Sequence, residues 1–232
     1  MRTMWKKKMG HAFTLVELLV VIAIIGILAG IVLPQVNNAL FRARVTEISI
    51  RGKSIVQTMF AKDTESIYTT TGAGWPKKGG STVVDTWTFA TSTDFFRNMV
   101  TGGLMSVNFQ YFAGPGIPGA GSSDAFKPEN NAWVLVAGIT DAYPETAPAV
   151  LTRNLDMANR ISDVIVESGK VKLDDTRKPF GEKGFAFATK GGAGFAIMGD
   201  DLKPQNFTNV FVRADARGQS LTNEVIRPGE SY

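Results

Sequence analysis

The stretch from Phe13 to Leu33, FTLVELLVVIAIIGILAGIVL, constrains this chain more than any other. It holds about twenty consecutive, almost wholly apolar residues, the length at which a helix rising 1.5 Å per residue crosses the ~30 Å hydrocarbon layer of a bilayer. Glu17 interrupts it. A carboxylate within a span costs a few kcal/mol by insertion scales, so it calls for a partner or a position near the interface. A span that served only as an anchor has no use for it. Upstream stand Arg2, Lys6, Lys7 and Lys8, with no acidic residue before Phe13. Basic flanks stay in the cytoplasm, so the short N-terminus is expected inside and the long C-terminal part outside the inner membrane. A secretory signal has a core of about 7–15 residues and small residues on its far side. Here the small residues Gly10 and Ala12 lie on the near side.

Ala12-Phe13-Thr14-Leu15-Val16-Glu17, continued by LLVVIAIIGILAGIVL and closed by Pro34, resembles the N-terminus of type IV pilins and type II secretion pseudopilins. The resemblance implies processing by a prepilin peptidase that cuts on the cytoplasmic side, before a Phe, and leaves a glutamate fifth in the mature chain. The same enzyme then methylates the new N-terminus. On this sequence the cut falls between Ala12 and Phe13, Phe13 is the methylated residue, and Glu17 is the fifth and the assembly residue. The family usually has Gly before the cut where this chain has Ala12. A cut after Gly10 would make Glu17 seventh, so the spacing favours Ala12. The resemblance further implies a structural subunit and not an enzyme. It would polymerise into a type IV pilus or a type II secretion pseudopilus, with an inner-membrane assembly platform, the peptidase and other pilin copies as partners. No cofactor and no nucleic acid are expected.

The fold expected is α+β: a long N-terminal helix, transmembrane in its first half and amphipathic in its second, packed on a small antiparallel sheet. The organisation follows as a basic leader at 1–12, a span at 13–33, an amphipathic half at 34–67 and a globular head at 68–232. The head is expected to carry a variable loop at 112–128 and a hairpin at about 184–198. Of the 25 Lys and Arg against 21 Asp and Glu, the four basic residues of the leader supply the whole formal charge of +4. The rest of the chain is balanced, which disfavours a nucleic-acid surface. Lys77-Lys78, Lys170 with Lys172, and Arg177-Lys178 read as solvated loops. There is no cysteine, so the head relies on its core alone. Many pilins close a C-terminal loop with a disulfide, and its absence leans toward the pseudopilin branch or a non-standard pilin. The single histidine, His11, falls in the leader. The mature chain then has neither His nor Cys, which eliminates Ser-His-Asp and Cys-His nucleophilic pairs and His or Cys zinc sites. A membrane-tethered binding or carboxylate-based enzyme domain is the alternative class.

Gly26, Gly30 and Pro34, spaced by four, share one helix face. They make either a small-residue contact between neighbouring spans with a proline kink, or the ordinary Gly and Pro content of membrane helices. In related filaments the helix loosens in this region. Beyond Pro34 apolar residues recur at three and four: Phe41, Val45, Ile48, Gly52, Ile55 or Val56, and Met59 or Phe60. Gly52 on that stripe either admits a close sheet contact or weakens the helix. Ser92-Thr93-Asp94 is expected to cap a short helix stopped by Gly102-Gly103. Residues 112–128, centred on GPGIPGAGSS, read as a mobile loop without a phosphate-binding pattern. Strands are expected at Trp133–Ile139, more weakly at Val150–Leu155, and at 161–166 as strand or helix end. The clearest are Gly184–Thr189 and Gly194–Met198, joined through Lys190-Gly191-Gly192. The pairs Asp174-Asp175 and Asp200-Asp201 are weak calcium candidates without EF-hand spacing. The Asn206-Phe207-Thr208 sequon is read as chance.

Overall fold

Among the described residues the first regular element is helix α1, Leu15–Thr69, 55 residues long. The computed structural model describes residues 13–69, 75–79, 87–140, 143–157, 166–167, 170–202 and 224–229. His11, the leader, most of 161–166 and Asn206 lie outside them. Two compact units result, Met1–Phe41 and Arg42–Tyr232. In the first, every described residue from Phe13 to Leu40 is exposed. A helix that is apolar all round finds its cover either in a protein core or in lipid. This stretch is long and apolar enough to cross a membrane. The helix runs without interruption through Pro34. Proline removes the N–H that the carbonyl of Gly30 would otherwise receive.

In the second unit the α1 stripe behaves as its periodicity predicts: Val45, Ile48, Ile55, Val56 and Met59 are all buried. They cover a five-stranded antiparallel sheet. With β1 (Lys77–Lys78) and β2 (Thr88–Phe89) forming a separate parallel pair, the sheet takes β3 (Trp133–Val136) and β4 (Pro148–Thr152). After the small hairpin β5 (Val166–Glu167) and β6 (Lys170–Val171), it adds β7 (Gly184–Thr189), β8 (Gly194–Met198) and β9 (Val225–Ile226). The order is β8-β7-β4-β3-β9. Gly52 is the point of closest approach. A Cβ there would stand 3.1 Å from two ring carbons of Trp133 on β3 and 3.4 Å from Ala188 Cβ on β7. From the other side, a Cβ on Gly194 would meet the Ser49 carbonyl oxygen at 2.7 Å. The close-contact reading of Gly52 is therefore the right one.

The hairpin β7–β8 has the expected bounds, with Gly184 opposite Met198 and Ala188 opposite Gly194. Its turn closes through Thr189 N to Ala193 O at 2.9 Å, with Gly192 in the left-handed region. Strand β3 stops at Val136, short of Ile139, because Gly138 adopts φ +64° and its N–H goes to Pro76 O. Strand β4 ends at Thr152, before the expected Leu155. The buried Asn154 side chain instead donates to Gly181 O and Gly184 O, at 2.8 Å each. Lys77-Lys78, expected in a loop, forms β1 with both side chains exposed.

Helix α2, Ser92–Thr101, is capped one residue earlier than expected. Thr91 Oγ1 accepts from Asp94 N at 3.0 Å, and Gly102 and a left-handed Gly103 close the other end. Ser92 and Thr93 are buried and serve elsewhere, donating to Trp133 O and Pro228 O. Residues 112–128 also differ from expectation. Phe112, Ile117, Ala120 and Phe126 are buried, and Phe112 stacks on Phe96 of α2 with ring centres 4.5 Å apart. The glycines of this segment shape a packed loop.

Candidate functional site

Of the residues singled out by the sequence, Glu17 lies in the first turn of α1, where Thr14 meets it. Thr14 is the last non-helical residue and Glu17 the third helical one. Thr14 N donates to Glu17 Oε2 at 2.8 Å, Thr14 Oγ1 donates to the same oxygen at 2.7 Å, and Glu17 N donates to Thr14 Oγ1 at 3.2 Å. This is a capping box, in which two of the orphan N–H groups at a helix start are satisfied reciprocally. It answers part of what a carboxylate in an apolar run requires. Both hydrogen bonds fall on Oε2, and Oε1 has no partner among the described residues.

Thr14 is the residue the sequence reading missed. Its signal was available: a threonine three places before a glutamate at the head of an apolar run. The structure brings Thr14, not Phe13, against the Glu17 carboxylate. Phe13 is non-helical and 78% exposed. Ala12 lies outside the described residues. Around Gly26 and Gly30, nothing stands within 4 Å of where a Cβ would be, so that face of α1 is open to another helix.

The acidic pairs behave otherwise. Asp200 and Asp201 belong to a 3-10 turn, Gly199–Asp201. Asp174 is occupied by its own neighbours: Thr176 N and Oγ1 donate to Oδ1 at 3.0 and 2.6 Å, and Arg177 Nε lies 2.9 Å from Oδ2. Burial pushes the Asp174 carboxyl up. The Thr176 bonds and the Arg177 charge together outweigh this and hold it below the usual carboxylate range. No three of His, Cys, Asp and Glu converge among the described residues.

Residues 7–33 match the family model described as the prokaryotic N-terminal methylation motif. Three relatives extend the likeness. The chain is 55% identical over 42 residues to a probable minor fimbrial protein of Dichelobacter nodosus, covering 18% of this chain and 26% of that one. It is 40% identical over 72 residues to a fimbrial protein of Pseudomonas aeruginosa, covering 25% and 47%. It is 48% identical over 42 residues to the type IV major fimbrial protein FimA of Dichelobacter nodosus, covering 18% and 27%. The chain thus spans between about a quarter and a half of the length of the curated relatives it matches. No solved structure gives a significant match. Residues 7–33 thus carry the prokaryotic N-terminal methylation motif, and the N-terminal stretch of this chain is similar to that of type IV fimbrial proteins.

Proposed function

We propose that this chain is a structural subunit that polymerises from the inner membrane into a type IV pilus. The observation that carries the proposal is Glu17, capped by Thr14 through one oxygen and presenting the other from an otherwise apolar helix. A prepilin peptidase cuts between Ala12 and Phe13, removing the four cations that hold the leader in the cytoplasm. The cut creates an α-amine on Phe13, which is then methylated and stays cationic. Among packed spans, Glu17 Oε1 neutralises the Phe13 amine of a neighbouring subunit, recovering the cost of its own burial and fixing the axial register. Gly26 and Gly30 allow close approach of those spans, and Pro34 supplies the weak point in the helix. Before assembly the subunit is a single-pass inner-membrane protein with its head periplasmic, handed to the filament by an assembly platform. Such a head-to-tail contact is heterologous and does not close, so it generates a filament. The relatives bear fimbrial names, which supports the pilus over the secretion pseudopilus.

Intact-mass analysis of the membrane-extracted protein tests the reading. A chain beginning at methylated Phe13 is expected. A full-length mass on an unpolymerised, membrane-bound protein would instead indicate a tethered extracytoplasmic domain. Glu17→Gln keeps the capping geometry, because glutamine serves the third helical position as well. It is therefore expected to insert and be cleaved while failing to assemble in register. Normal filaments from that variant would remove Glu17 from the mechanism.

A further inference from the structure

One groove of the Arg42–Tyr232 unit plays no part in that reading. It has a volume of about 540 Å³ and lies between Arg44, Glu47 and Arg51 of α1 and the loop from Ala113 to Gly119. Arg51 is fixed in its wall. Nη1 donates to Tyr111 O and Ala113 O at 3.2 and 3.1 Å, Nη2 meets Glu47 Oε1 at 2.5 Å, and the guanidinium lies 5.6 Å from the Tyr111 ring centre. Arg44, two turns earlier, is exposed and makes no hydrogen bond or ion pair among the described residues. The Lys178 stem packs beside the loop, with Cδ 3.0 Å from where a Cβ on Gly116 would stand. The groove therefore carries more positive than negative charge, with one guanidinium held still and one unengaged.

The same chain carries the complement. Asp124, Glu129, Asp175 and Glu182 are exposed and have no ion-pair partner among the described residues. We propose that the groove is a self-association site which receives one of these carboxylates from a second copy of the chain. This deepens the filament reading and rests on it. An arginine fork matches a carboxylate in shape as well as charge, and Arg44 is the one whose donors are unengaged among the described residues, while Arg51, held by Tyr111 O, Ala113 O and Glu47, adds fixed positive charge to the wall. Outside its leader the chain is charge-balanced, so it has no net field to gather free polyanions and no net repulsion between copies. Groove and carboxylates are different surfaces, which makes the contact heterologous and open-ended.

Charge reversal in the full chain tests this. Arg44→Glu, in cells that assemble the filament, is expected to lose sedimentable filament while its amount, its processed N-terminus and its thermal unfolding match wild type. Combining it with Asp124→Lys, Glu129→Lys, Asp175→Lys or Glu182→Lys in turn is expected to restore filament for one of the four. Because the chain has no cysteine, Arg44→Cys with Cys at the restoring position should then give disulfide-linked copies. Wild-type assembly by Arg44→Glu, or restoration by none of the four, overturns the proposal. Were wild type to keep its leader and form no filament, the filament reading would fall. The groove would still be judged by self-association of the detergent-solubilised full chain, which must be lost on Arg44→Glu.

Discussion

At Gly52 and Gly194 a single methyl group decides how closely helix and sheet approach. The Gly52→Ala change places a Cβ at 3.1 Å from the ring of Trp133, which is fully buried and has nowhere to move. Helix propensity favours alanine by ~1 kcal/mol, but overpacking a tight core costs about 1–3 kcal/mol. A net loss of about 1 kcal/mol is expected in urea unfolding of the detergent-solubilised chain. Gly194→Ala should lose more, about 2–3 kcal/mol, because its 2.7 Å neighbour is the Ser49 backbone carbonyl. The opposite order would mean that α1 slides on the sheet more easily than it yields at Trp133. Asp174 sets a pH dependence. Its carboxyl is held below its unfolded value, so its contribution is complete above about pH 4 and disappears as pH falls through the lower folded value. Asp174→Asn should therefore be less stable than wild type at neutral pH, with the gap narrowing below about pH 4. At the helix start, Thr14→Val should speed amide exchange at residues 15–17 and Thr14→Ser should not, because only a hydroxyl completes the reciprocal cap.

Among the elements, those written in local pattern were legible and those written in distant contacts were not. The β7–β8 hairpin followed from Phe185 and Phe187 alternating with alanine ahead of a glycine turn. The α1 stripe followed from spacings of three and four. The α2 cap was misplaced because Thr91, Ser92 and Thr93 are all capping types. What separates them is that Trp133 O and Pro228 O claim the second and third. That junction carries its own prediction. Asn131, fully buried, donates to Ser92 Oγ and Thr93 Oγ1 at 3.0 and 3.3 Å and accepts from Trp133 N at 3.0 Å. Asn131→Ala strands these groups and should cost about 2–3 kcal/mol. Thr91→Ala, which removes an exposed cap alone, should cost about 1 kcal/mol in the same unfolding measurement. The 112–128 loop was misread because glycine and proline content reports backbone freedom. Phe112, Ile117 and Phe126 are buried and anchor it, with Phe112 stacked on Phe96 of α2 and against Phe126 within the loop.

For the molecule as a whole, the sequence alone determined a stretch long and apolar enough to cross a membrane, the N-terminal methylation motif and the α+β class. Each rests on residues that are neighbours in the chain: a long apolar run, the spacing from Phe13 to Glu17, and local periodicity. Only the tertiary structure decided that β9, two residues long, joins β3 at the sheet edge. It also decided that Gly52 meets Trp133 and that Arg44 and Arg51 open onto the Gly114–Gly119 loop. The physical reason is that periodicity shows a face must be covered but carries no record of what covers it. Burial and hydrogen bonding are settled between residues far apart in sequence, and only folding brings these together.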